Sequence, residues 1–272
     1  MRRRADGETV DATVRRVTAA LRRMARPTGS FDAARYFRGE HGLRFYNVGT
    51  DRMRALGREI AAANTDRWTV EDAMRLADIV MRDPHLETKS VGIEVVARFR
   101  KSFTPLLLPR WKGWLSANLS ANWATTDAMC GLLIGPLLVD RPALALRMRA
   151  WSRDRNMWVR RASAVALIPS VRHGAALALG YEIAARLHAD RQDLIQKAVG
   201  WMLREAGKTD MPRLERYLLA NGVRIPRTTL RYAIERFPEP KRRQILAVTS
   251  RAARGRDRSA THAAPAATPR RR

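Results

Sequence analysis

Apolar residues recur at helical spacing along nearly the whole 272-residue chain, and no stretch alternates as a half-buried strand would. The segments "VDATVRRVTAALRRM" (10–24), "RMRALGREIAAA" (52–63) and "VEDAMRLADIVM" (70–81) each place their apolar residues on one helical face. Short turn and capping signals separate such segments: "RPTGS" (26–30), "ANTDRWT" (63–69), "RDPHLE" (82–87), "DRP" (140–142) and "NGVRIPRT" (221–228). Helices of ten to fifteen residues joined by connections this brief must run antiparallel to their neighbours. The expected fold class is therefore all-α.

Three helical segments repeat a local pattern, "NWATTDAMCGLL" (122–133), "NMWVRRASAVAL" (156–167) and "QKAVGWMLREAG" (196–207). Each carries a Trp followed three or four positions later by a charged residue: Trp123 with Asp127, Trp158 with Arg161, Trp201 with Arg204. The tryptophans are 35 and 43 residues apart, within the range of about 35–47 residues that two-helix solenoid units occupy. The spacing predicts a HEAT-like stack of helical hairpins, an α–α superhelix that aligns equivalent helices of successive repeats along one groove. Residues i and i+3 or i+4 share a helix face, so all three pairs are candidates for that groove. Taken singly, each Trp is an ordinary core anchor with an Arg stacked beside it.

Charge directs attention to the partner. Lys and Arg number 52 against 26 Asp and Glu, for a formal net charge of +26. Arginine dominates the excess, and its forked donors match phosphate oxygens, so a polyanion is the expected partner. The single cysteine, Cys130, excludes an intrachain disulfide framework, and five scattered histidines offer no metal set. No apolar run is long enough to span a membrane, and the basic start lacks the apolar core of a secretory signal. A cytoplasmic, cofactor-free and metal-free monomer is expected. Residues 1–249 should form the repeat domain and 250–272 a disordered basic tail. The glycine-bearing stretch "RGEHGLRFYNVGT" (38–50) reads as a surface loop with a task or as a connector with buried aromatics, so Tyr46 is a groove candidate. Tyr36 and Phe37 end an apolar helix face, which favours the core for at least one of them.

"NWATTD" (122–127), "MWVRRASAVAL" (157–167), "IQKAVGWMLREAGK" (195–208) and "ARYFRGEHGLRFYNVGTDRMRAL" (34–56) resemble segments of the AlkD-type DNA alkylation repair enzymes, HEAT-like alkylpurine DNA glycosylases. The resemblance runs over roughly residues 15–240 and excludes the basic tail. It implies hydrolysis of the N-glycosidic bond of cationic N3- or N7-alkylated purines in double-stranded DNA. Asp127 would then be the catalytic carboxylate, flanked by Trp123 and Trp201, and Arg161 would contact the DNA backbone. Arg204, Lys197, Trp158 and Tyr46 complete the expected DNA-contacting set. Asn122 and Ala124 stand where the family usually has a second Trp and an additional Asp.

The chemistry fits these residues. Glycosidases generally use two carboxylates, but an alkylated purine is already cationic and leaves as a neutral molecule, so one is enough. Lys197 and Lys208 are weak candidates for a Schiff-base nucleophile, and a monofunctional enzyme is expected. Two other classes fit the composition: a noncatalytic repeat module binding unusual DNA structures, and a helical-repeat scaffold for an acidic protein.

Overall fold

The computed structural model describes residues 9–27, 29, 32–37 and 42–261. Helices dominate: α1 (Val10–Met24), α2 (Thr50–Asn64), α3 (Val70–Val80), α4 (Leu86–Ala97), α5 (Leu107–Ser116), α6 (Trp123–Met129), α7 (Gly135–Asp140) and α8 (Met148–Trp151). They continue with α9 (Met157–Val165), α10 (Ile168–Arg172), α11 (Leu177–Leu187), α12 (Asp193–Thr209), α13 (Met211–Asn221), α14 (Arg227–Ala233) and α15 (Glu239–Thr261). Among the described residues the extended backbone amounts to one isolated bridge, Arg44 to His85. The protein is an all-α helical-repeat fold.

Helix starts follow the sequence chemistry. Thr69 and Asp72 form a reciprocal capping box at α3, and the side chains of Thr9, Asn122, Asn156 and Asp210 accept backbone N–H bonds at α1, α6, α9 and α13. Such caps satisfy donors that a helix end leaves unpaired. The helices then stack through their apolar faces. α4 packs on α2 and α6, α6 on α9, α9 on α12 and α12 on α14, so one row of helices runs through the molecule. α3, α10, α11 and α13 flank that row. Its interior is a continuous core, with Trp111, Met74, Ile93, Leu115, Met129 and Leu133 essentially inaccessible.

α6 and α7 are joined without a break by a wide turn at Cys130–Ile134, in which the Gly135 N–H donates to the Cys130 carbonyl. Pro136 cannot donate a backbone hydrogen bond, and the wide turn precedes it. Gly135 is needed here for a close approach, since a Cβ would lie 2.7 Å from Pro169 Cγ on α10. Cys130 itself is fully buried, and burial pushes its thiol well above the ordinary value.

Two expectations change. Residues 250–261, expected in a disordered tail, belong to α15, described as far as Thr261; residues 262–272 lie outside the described residues. Tyr46 belongs to the core rather than a groove. Its ring stacks on His85 at 4.0 Å, and the backbone N–H groups of Tyr46 and Val48 donate to the buried carboxylate of Glu87 at 3.1 and 3.2 Å. Asn47 between them takes a left-handed φ of 55°, which turns both N–H groups toward the same acid.

Candidate functional site

The three tryptophans meet in one cleft of about 760 Å³. Trp123 is the first residue of α6, Trp158 the second of α9, and Trp201 lies in the middle of α12. Because α6, α9 and α12 are consecutive in the row, their Trp-bearing faces line the same space. Trp158 is almost fully buried in the wall, whereas Trp123 and Trp201 are half-buried. Tyr232 of α14 and Met157 extend the lining.

The remaining wall comes from far away in sequence. A short helical turn, Ala33–Tyr36, carries Arg35 and Tyr36 to the cleft, and Phe37 follows. Phe37 stacks nearly parallel on Trp123 with ring centroids 5.2 Å apart, and the Trp123 indole N–H donates to the Tyr36 carbonyl at 3.1 Å. Phe37 is therefore core and Tyr36 is groove, its surface 63% exposed.

Asp127 lies one turn beyond Trp123 and is held by Arg161. The guanidinium Nε and Nη2 donate to the two carboxylate oxygens at 2.9 and 2.8 Å, and Nη1 donates to the Leu194 carbonyl. The Arg161 side chain is 6% exposed and that of Asp127 17%. Arg161 both reaches the cleft lining, as expected of a groove residue, and positions the acid through three of its five N–H donors. Burial pushes the Asp127 carboxyl above its ordinary value, against the pull of Arg161. Both oxygens accept from Arg161, an arrangement made by the carboxylate form.

The other expected cations also line the cleft. Lys197 pairs with Asp193 at 2.7 Å, and Arg204 bonds the carboxylate of Glu235. Lys208, in contrast, sits away from this lining and bonds both oxygens of the buried Glu205 at 2.9 and 2.8 Å. Arg35, Arg161, Lys197 and Arg204 stand against one lining acid, Asp193, with Asp127 and Glu235 behind the lining as partners of Arg161 and Arg204, so the lining itself carries an excess of positive charge. Asn122 is a helix cap: its side-chain oxygen accepts from the Thr125 N–H at 2.7 Å and its amide donates to the Thr125 hydroxyl. That role accounts for an Asn beside Trp123. Sequence reasoning missed Arg35, Asp193 and Tyr232 as lining residues, and no local pattern marks them.

The model of the DNA alkylation repair enzyme family matches residues 17–237. The chain belongs to that family. Among solved structures, a predicted DNA alkylation repair enzyme from Enterococcus faecalis shares the fold of this family member. The TM-score is 0.64 over 86% of this chain and 99% of that one, at 14% identity. No curated protein matches the chain. Membership in the DNA alkylation repair family supports a role in DNA repair, with DNA as the partner. Among the described residues, no helix is long and apolar enough to cross a membrane.

Proposed function

We propose that this protein is a monofunctional DNA glycosylase that hydrolyses the N-glycosidic bond of cationic N3- or N7-alkylated purines in duplex DNA. The observation that carries the reading is the cleft itself, which three indoles from consecutive helices line together with Arg161, whose guanidinium holds Asp127 just behind the lining. Its electropositive lining suits a DNA backbone. In this reading a HEAT-like superhelix holds the duplex, working as a cytoplasmic, nucleoid-associated monomer without metal or organic cofactor.

The reaction needs only what the site offers. The bond from the anomeric carbon to the purine breaks with its electron pair going to the base, which neutralises the base and allows it to leave without a general acid. Positive charge develops on the deoxyribose, where a carboxylate stabilises it. The electron-rich faces of Trp123 and Trp201 attract the same charge, at about 0.5–2 kcal/mol per contact. Water then bonds to the anomeric carbon, its proton passes by way of Asp127 to solvent, and an abasic site remains. The lesion is held through sugar and backbone rather than in a deep base pocket, so bulky adducts should be accepted.

Release of free 7-methylguanine and 3-methyladenine from methylated duplex DNA, followed under single-turnover conditions, tests the reading. Wild type should release both bases, and Asp127→Asn should slow release by about 100-fold or more while DNA binding persists. Binding without release by either protein would replace the enzyme with a noncatalytic DNA-recognition module.

A further inference from the structure

Asp193 is the acid among the residues lining the cleft. It opens α12, and its carboxylate lies 2.7 Å from the ammonium of Lys197, one turn further on. Trp201 follows after another turn. One stripe of α12 therefore presents a carboxylate, an ammonium and an indole in succession toward the same space. The Asp193 and Lys197 side chains are 60% and 40% exposed, so both are open to an incoming ligand.

A phosphate drawn to Lys197 meets Asp193 as a rival for the same ammonium. Once the phosphate takes Lys197, Asp193 is left as an unpaired anion beside an anionic backbone. An undamaged base pair offers it no positive charge. A cationic alkylpurine in the cleft does. Asp127 is in a different position, because its partner Arg161 is held inside the protein and stays with it whichever duplex is bound. Glu235, the partner of Arg204, is not among the cleft-lining residues.

We propose that Asp193 is a specificity-determining residue that disfavours undamaged DNA, holding Lys197 in the free protein and finding a replacement partner only when a cationic purine enters the cleft. This rests on the alkylpurine reading above. The pair is exposed and gives way readily, so it tunes affinity without blocking the site.

The test compares two duplexes of one sequence by equilibrium binding. One is undamaged. The other carries 7-methylguanine on a 2′-fluorinated sugar, which resists cleavage because fluorine disfavours positive charge at the anomeric carbon. Asp193→Asn should bind the undamaged duplex about threefold to sixfold tighter, and the lesion duplex within about twofold of wild type. Asp140→Asn removes the same charge from a pair with Arg100 outside the cleft lining and should shift both duplexes alike. The Asp193→Asn gain should vanish in a Lys197→Gln background. Equal tightening on both duplexes, or a gain that survives without Lys197, overturns the proposal. If wild type itself neither prefers the lesion duplex nor releases methylpurines, the alkylpurine reading falls and takes this one with it. Base release by wild type with an unchanged preference in Asp193→Asn removes Asp193 alone.

Discussion

Arg161 and Asp127 meet side by side across neighbouring helices, two parallel N–H···O bonds of 2.9 and 2.8 Å joining α9 to α6. A third donor of the same guanidinium reaches the Leu194 carbonyl on α12. One side chain thus ties together the three helices that carry the cleft tryptophans, and it fixes the direction in which the acid points.

Removing that side chain should be costly. Arg161→Ala leaves the carboxylate of Asp127 buried without its partner, a change that destabilises by about 3–5 kcal/mol. Arg161→Lys keeps the charge but cannot form two parallel bonds, so it should recover part of the stability while base release stays impaired. Urea unfolding read beside the single-turnover rate separates the two effects. Stability within about 0.5 kcal/mol of wild type in Arg161→Ala would mean that the pair does not hold the helices together.

The pH dependence follows from the same pair. Burial, opposed by Arg161, leaves the Asp127 carboxyl above its ordinary value of 3.8. An acid with a raised value takes up its proton at a higher pH than an exposed aspartate. On the glycosylase reading proposed above the carboxylate is the working form, so the rate should fall as pH drops through that raised value, giving an acid limb above 3.8. Single-turnover rates corrected for spontaneous depurination would show the limb in wild type and none in the residual activity of Asp127→Asn.

Gly200 precedes Trp201 at the contact between α12 and α14, where a Cβ would lie 2.4 Å from the Cβ of Tyr232 and 2.7 Å from the Thr229 carbonyl. The backbone and the base of a side chain cannot yield as a flexible tip would. Gly200→Ala should therefore cost about 1–3 kcal/mol through overpacking and displace Tyr232 at the edge of the cleft. Thermal unfolding and Trp fluorescence would report the two consequences; an unchanged melting temperature would show that α14 shifts freely.

The helices were legible because burial on one face imposes a period that shows whichever apolar residues fill it, and because caps such as Thr69 and Asn122 act within three positions. The meeting of Trp123, Trp158 and Trp201 was legible for a related reason, since repeat spacing places equivalent helices side by side. Tyr46 misled because an aromatic in a glycine-bearing loop looks exposed, while the acid that anchors its backbone, Glu87, is 41 residues away. Arg161 was legible as a cleft residue but not as the holder of Asp127, because its partners are 34 and 33 residues away. A helix end at Tyr36 and Phe37 was legible, but its contact with the cleft was not, as the bond to Trp123 crosses 87 positions.

That last bond bears on how such a protein can diversify. The indole of Trp123 is braced by Phe37 and the Tyr36 carbonyl, so one rim of the cleft belongs to a short turn that precedes the stacked helices. Exchanging or lengthening that turn would widen or narrow the entrance while leaving the acid, its arginine and the other two indoles where they are. On the proposed glycosylase reading, the range of adduct sizes admitted would then drift between relatives independently of the residues assigned to bond cleavage.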